Sequence, residues 1–179
     1  PGAILPGTVA VLVAAAGSAF MLDIGARARG PGVPPTYRRL LFASSIEVVL
    51  GVVSFVLLVT YLFVWDPRDG ATLFGSLLGE RPPVVPSALA LLVLWDVCYR
   101  IGTGWWAAVV GLWRSLTRDL SPEAATRLAG VDVRTLAFGV LQAVLVPFVW
   151  GHPVLVVAIG GHVVAVVVVT TASLYVLRN

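Results

Sequence analysis

The sequence predicts an all-α fold: a polytopic integral membrane helical bundle of about five transmembrane helices, with the N-terminus outside and the C-terminus cytoplasmic. Three observations carry that prediction. Hydrophobic residues make up 59% of the 179 positions and charged residues only 12%, whereas an ordinary soluble domain carries about 25% charged residues. The mean hydropathy is +0.97, more apolar surface than a water-soluble fold of this length can hide. Finally, the apolar stretches are continuous and lack the strict alternation of barrel strands, which run to about ten residues each. Without water to bond the backbone, each segment has to satisfy its own N–H and C=O groups, and a helix does so.

With ~20 residues per crossing as the yardstick, the spans fall at about 4–23, 40–65, 87–113, 135–150 and 153–177. The first is followed by arginines and lacks a convincing small-residue cleavage site, so it reads as a retained helix and not a signal peptide. The third carries Asp96 and Arg100 in an otherwise apolar run. The fourth is the shortest. Pro147 and the Trp-Gly-His-Pro run at 150–153 predict a tight turn between the fourth and fifth spans, because proline disrupts the preceding helical turn.

Between the spans, Ser121-Pro122-Glu123 reads as a helix start, with serine at the N-cap and proline in the first turn. Gly130 is expected to close that short interfacial helix, and Asp132 to cap the fourth span. The loop at 66–86 is rich in glycine and proline, with an apolar patch at 73–78 that suits a membrane surface. No non-membrane stretch approaches the ~50 residues of an independent domain, so residues 1–179 are expected to form a single transmembrane domain.

Orientation follows from arginine, the only basic residue besides histidine in the chain. Arg27, Arg29, Arg38, Arg39, Arg114, Arg118, Arg127, Arg134 and Arg178 fall on one side, and Arg68 and Arg81 on the other. This positive-inside bias places the N-terminus outside and the C-terminus in the cytoplasm, for a multi-pass protein expected in the cell membrane. It also accounts for the net charge of +3 without a nucleic-acid partner. Trp65, Trp113 and Trp150 sit at span ends, as interfacial aromatics do. The arginine-only, alanine- and valine-rich composition is that of a GC-rich prokaryotic genome.

The functional argument rests on polar residues at membrane depth, which are costly and are functional candidates by default. Asp96 and Arg100 share a helix face in the favourable order, and Thr103 continues that face. Glu47 lies ~10 Å into the second span and Arg100 ~20 Å from the inner end of the third, by helical rise. A Glu47–Arg100–Asp96 cluster would leave one carboxylate to exchange a proton or attract a cation. The plain alternative is a self-neutralising pair that fixes helix register.

Gly102-Thr103-Gly104 suits a close helix–helix contact. Trp95, Trp105 and Trp106 suit packing or lipid contact, with a cation cage as the less economical reading. His162, beside Gly160-Gly161, is expected to make an interhelical hydrogen bond, and His152 to be a solvated turn residue. About 15 Å apart along one helix, the two histidines cannot clamp one haem, so a haem at His162 would need a ligand from a second chain. No cofactor is otherwise implied. The single cysteine, Cys98, rules out an internal disulfide.

No nucleophile elbow, zinc-protease motif or phosphate loop is present, so an enzyme is the weaker expectation. Three functions remain open. The first is a small, oligomeric ion or proton channel or carrier using Glu47, Asp96, Arg100 and Thr103. The second is an anchor or accessory subunit bound to a partner membrane protein. The third is a lipid- or quinone-modifying enzyme with a side cavity near Arg100.

Overall fold

The computed structural model describes residues 4–70, 72–79 and 83–178, and among these every regular element is helical. The helices are α1 (Ile4–Ala28), α2 (Pro35–Ala43), α3 (Ile46–Thr60), α4 (Leu73–Leu78), α5 (Val84–Thr117), α6 (Pro122–Leu141) and α7 (Pro153–Arg178). Five stretches are long and apolar enough to cross a membrane, as a multi-pass membrane protein requires: Gly7–Ala28, Pro35–Arg68, Val84–Thr117, Pro122–Val149 and Pro153–Arg178.

The second stretch is not one helix. Proline at the first position starts α2, where its missing N–H costs nothing. Tyr37 and Leu41, one turn apart, are buried, while Arg38 and Arg39 point outward. The helix stops at Ser44, and Ser45 adopts a left-handed conformation (φ 57°, ψ 7°). That conformation costs a non-glycine residue about 1–2 kcal/mol. The break leaves α2 carbonyls without helical partners, and the indole N–H of Trp106 donates to the Leu40 carbonyl at 2.9 Å. Beyond α3 the chain loosens into a π-helical turn (Tyr61–Trp65) and tightens into a 3-10 turn (Asp66–Asp69).

The fourth stretch differs most from expectation. The Ser121 hydroxyl does cap α6, accepting from the Ala124 N–H at 3.3 Å, and Pro122 does open it. However, the helix neither closes at Gly130 nor restarts at Asp132; it runs unbroken from Pro122 to Leu141. An interior glycine costs about 1 kcal/mol, but Leu128, Val131, Thr135 and Phe138 form one buried stripe at helical spacing, and burying it outweighs that cost. Arg134 therefore belongs to a helix and not to a loop. From Gln142 to Val149 the helix narrows to 3-10 geometry around Pro147. A turn follows, with the His152 N–H bonded to the Val149 carbonyl at 2.8 Å.

Helix α5 is the axis of the bundle. Helices α3 and α7 pack along it, α2 and α1 lean on it, and α6 packs between α1 and α7. Close approach is set by glycine where α3 meets α5. A Cβ on Gly102 would stand 2.7 Å from the Gly51 backbone nitrogen and 3.1 Å from the Glu47 carbonyl oxygen. Gly104, two residues on and therefore on the opposite face, has nothing within 4 Å of such a Cβ. Only the first glycine of the Gly-Thr-Gly run makes the expected close contact.

The dense core gathers where α1 and α5 end, from Ile24, Ala28, Tyr37, Leu41, Val110 and Leu128 among others. Elsewhere large apolar side chains face outward, including Leu12, Val53, Leu57, Leu92 and Val157. Such a surface suits lipid rather than water.

Candidate functional site

Asp96 and Arg100 meet as expected of an i, i+4 pair. The Arg100 Nε donates to Asp96 Oδ2 at 2.6 Å and its Nη2 to Oδ1 at 2.8 Å, a two-pronged arrangement that is geometrically specific. Nη2 also donates to the Ser18 hydroxyl on α1 at 3.0 Å. A Cβ on Gly17 would lie 2.7 Å from Arg100 Cδ, so the absent side chain there is what admits the arginine. The pair thus joins α5 to α1.

Glu47 is not part of that cluster. Gly102 faces α3, and a residue two positions away on a helix points to the opposite side, so Arg100 points away from Glu47. Among the described residues Glu47 forms no ion pair. Its Oε2 is buried and has no hydrogen-bond partner. Glu47 stands in the first turn of α3, immediately after the left-handed Ser45, and its carbonyl lies against α5 at Gly102. Thr103 bonds its hydroxyl to the Tyr99 carbonyl at 2.8 Å, a within-helix bond that leaves it no free donor.

The most buried polar constellation is one that residue spacing alone does not single out. Arg114, fully buried, donates through Nη2 to Asp132 Oδ2 on α6 at 2.7 Å. The Ser173 hydroxyl on α7 donates to the same oxygen at 2.7 Å and lies 2.9 Å from the Ser115 hydroxyl. The guanidinium carbon stands 5.0 Å from the centre of the Tyr37 ring on α2. Four helices therefore meet on one charge pair. Its signal was present in the sequence: the helical spacing of apolar residues runs on past Gly130, which puts Asp132 inside a helix, and Ser173 recurs within an apolar α7. Arg114 is accordingly no loop residue. Arg81 lies outside the described residues.

Nearer the same end of the bundle, Asp23 accepts from Arg27 at 3.0 Å and also pairs with Arg134, so α1 is tied to α6. At the opposite end His152 is no solvated residue. Its Nδ1 lies 2.7 Å from Asp66 Oδ1, with Asp66 only 2% exposed, and 3.4 Å from the Tyr61 hydroxyl. Asp66 also accepts from the Leu73 N–H at 2.6 Å, which holds α4 against the bundle. Among the described residues the hydrogen bond expected of His162 is absent: its Nε2 is buried and unpartnered. It borders a cleft of about 310 Å³ formed with α3 and α5.

The chain matches a family of unknown function, DUF7530, over residues 1–173 and belongs to that family. No curated protein and no solved structure matches it significantly.

Proposed function

We propose that the protein is a multi-pass protein of the cell membrane, N-terminus outside and C-terminus cytoplasmic, and that it works as a small ion or proton carrier in which Glu47 is the exchanging carboxylate. The observation that supports this is the unpartnered, buried Oε2 of Glu47 beside a helix break within a long apolar stretch. Interrupted membrane helices place helix ends and irregular backbone where an ion can be held. The Asp96–Arg100 pair is neutral and tied to Ser18, so in this reading it fixes α1 on α5 and does not move charge. Five helices enclose only a narrow path. Exchange therefore proceeds through a carrier-like alternation or along a path shared between protomers of a homo-oligomer.

A second reading, an accessory subunit that docks on a partner membrane protein, is favoured by a different observation. Ser45 is exposed, and irregular backbone at membrane depth is tolerated where protein or water covers it.

Proteoliposomes carrying a pH-sensitive dye, under an imposed potential, separate the two. Native protein is expected to move protons or a common monovalent cation. Glu47→Gln should lower the flux at least tenfold while eluting as the same species, and Asp96→Asn combined with Arg100→Gln should keep most of it. Absence of flux in the native protein would overturn the carrier reading in favour of the subunit.

A further inference from the structure

Where α1 ends and α6 begins, the two helices pack together, and their seam brings three arginines to one carboxylate. Asp23 on α1 accepts from the Nε of Arg27 at 3.0 Å and pairs as well with Arg134 on α6. Arg134 also donates through Nη1 to the Gly130 carbonyl at 2.9 Å. One turn nearer the start of α6, Arg127 lies across Gly30, where a Cβ would stand 3.0 Å from its Cδ. Glycine thus admits this arginine to the seam, as Gly17 admits Arg100.

These contacts leave many donors unused, since each guanidinium carries five N–H groups. Among the described residues Arg127 forms no ion pair. Its two terminal nitrogens, those of Arg27 and the Nη2 of Arg134 have no acceptor there. None of these nitrogens is buried, and the Arg27 and Arg134 side chains are 40% and 31% exposed. The space that a side chain on Gly130 would fill is bounded by Arg134 Nη1 at 3.5 Å and Arg27 Nη1 at 4.0 Å. Glu123, one turn before Arg127, is exposed and forms no ion pair among the described residues.

We propose that this seam binds the headgroup phosphate of an anionic phospholipid, with Arg127 and Arg27 as the ligating guanidiniums and Gly130 as the floor between them.

Guanidinium and phosphate match in a two-pronged geometry, and basic pockets between membrane helices hold anionic headgroups. Two observations select a lipid over a free anion. The stretch from Pro122 to Val149 has 28 residues, more than the ~20 that cross the hydrocarbon, so its charged first turns stand at headgroup level. Leu22, beside Asp23, and Val133, beside Arg134, are 77% and 47% exposed, an apolar border on which acyl chains can lie. The inference is independent of the role proposed for Glu47.

Native mass spectrometry of the full chain in detergent tests it, by titration with phosphatidylglycerol and, separately, with phosphatidylcholine of the same acyl chains. The anionic lipid is expected to bind at least tenfold more tightly. Arg127→Gln, at a residue that no protein group pairs, should remove this preference while the protein elutes unchanged. Gly130→Leu, whose Cβ meets only flexible guanidiniums, should do the same by filling the floor. Arg38→Gln, which removes the same charge from an exposed position on α2, should leave the preference intact. Equal binding of the two lipids by the native protein would overturn the proposal, as would a preference indifferent to Arg127 and Gly130. A preference lost equally in Arg38→Gln would mean general surface charge and no site. Displacement of the lipid by millimolar inorganic phosphate would assign the seam to a free anion and also overturn it.

Discussion

Arg114 and Asp132 show how one residue pair can organise a bundle. The guanidinium has no exposure to solvent or lipid; its Nη2 meets a carboxylate and two hydroxyls and its plane lies near an aromatic face, while its Nε and Nη1 have no hydrogen-bond partner among the described residues. Removing one member of such a pair strands the other, a loss of about 3–5 kcal/mol in soluble proteins. We therefore expect Asp132→Ala to lower the resistance of the purified protein to denaturant by about that amount. The double change of Arg114→Leu with Asp132→Leu should cost less than either single change, because no uncompensated charge remains. Denaturant titrations in one detergent check both. If the double variant were the worse, the pair would be a net source of stability and not a costly device for fixing how α5, α6 and α7 meet.

The residue scale is also where the sequence was least legible. Asp96 and Arg100 could be paired by counting four positions along one helix, and the structure pairs them. Glu47 could not be placed, because the side of α5 that faces α3 depends on Gly102, and the chain alone does not say which of two nearby glycines makes the contact. In the sequence Arg114 resembles a topology signal, since an arginine just past an apolar run looks like the start of a loop. His152 looks solvated in the sequence because its partner, Asp66, comes from a turn far away along the chain.

Among the helices, the two glycines of the Gly-Thr-Gly run give a clean contrast. At Gly102 any side chain meets the backbone of α3, which cannot yield as a flexible side chain can. At Gly104 there is open space, and alanine in a helix interior is favoured over glycine by about 0.5–1 kcal/mol. Gly102→Val is thus expected to lose the folded species on size-exclusion chromatography, whereas Gly104→Ala should match or exceed the native thermal midpoint. Equal tolerance at the two positions would mean that α3 does not lie on α5 as described. Helix existence was legible throughout because long apolar runs admit little else. Boundaries were less so: α6 overran its glycine because a buried stripe outweighs one weak position, and α2 broke from α3 at two serines that carry no proline or glycine to mark a stop.

For the whole molecule, the distribution of acids carries the central claim. Asp23, Asp66, Asp96 and Asp132 each face an arginine or a histidine within ion-pair reach. Glu47, within the apolar stretch from Pro35 to Arg68, has no such partner among the described residues. The molecule thus has a tightly packed end held by paired charges and an apolar surface suited to lipid; Asp119 and Glu123, also without an ion pair among the described residues, are exposed, whereas Glu47 lies within an apolar stretch. Composition and hydropathy made the helical, membrane-compatible character plain from the sequence. The odd carboxyl was legible only as one of several candidates, because pairing is a property of the packed bundle.

The most direct measurement is mass-spectrometric mapping of a lipid-soluble carbodiimide, which attacks protonated carboxyls from the hydrocarbon phase, on the protein in liposomes. The account predicts modification at Glu47, lost in Glu47→Gln, with Asp96 and Asp132 protected by their arginines. Modification of Asp96 or Asp132 in preference to Glu47 would contradict it.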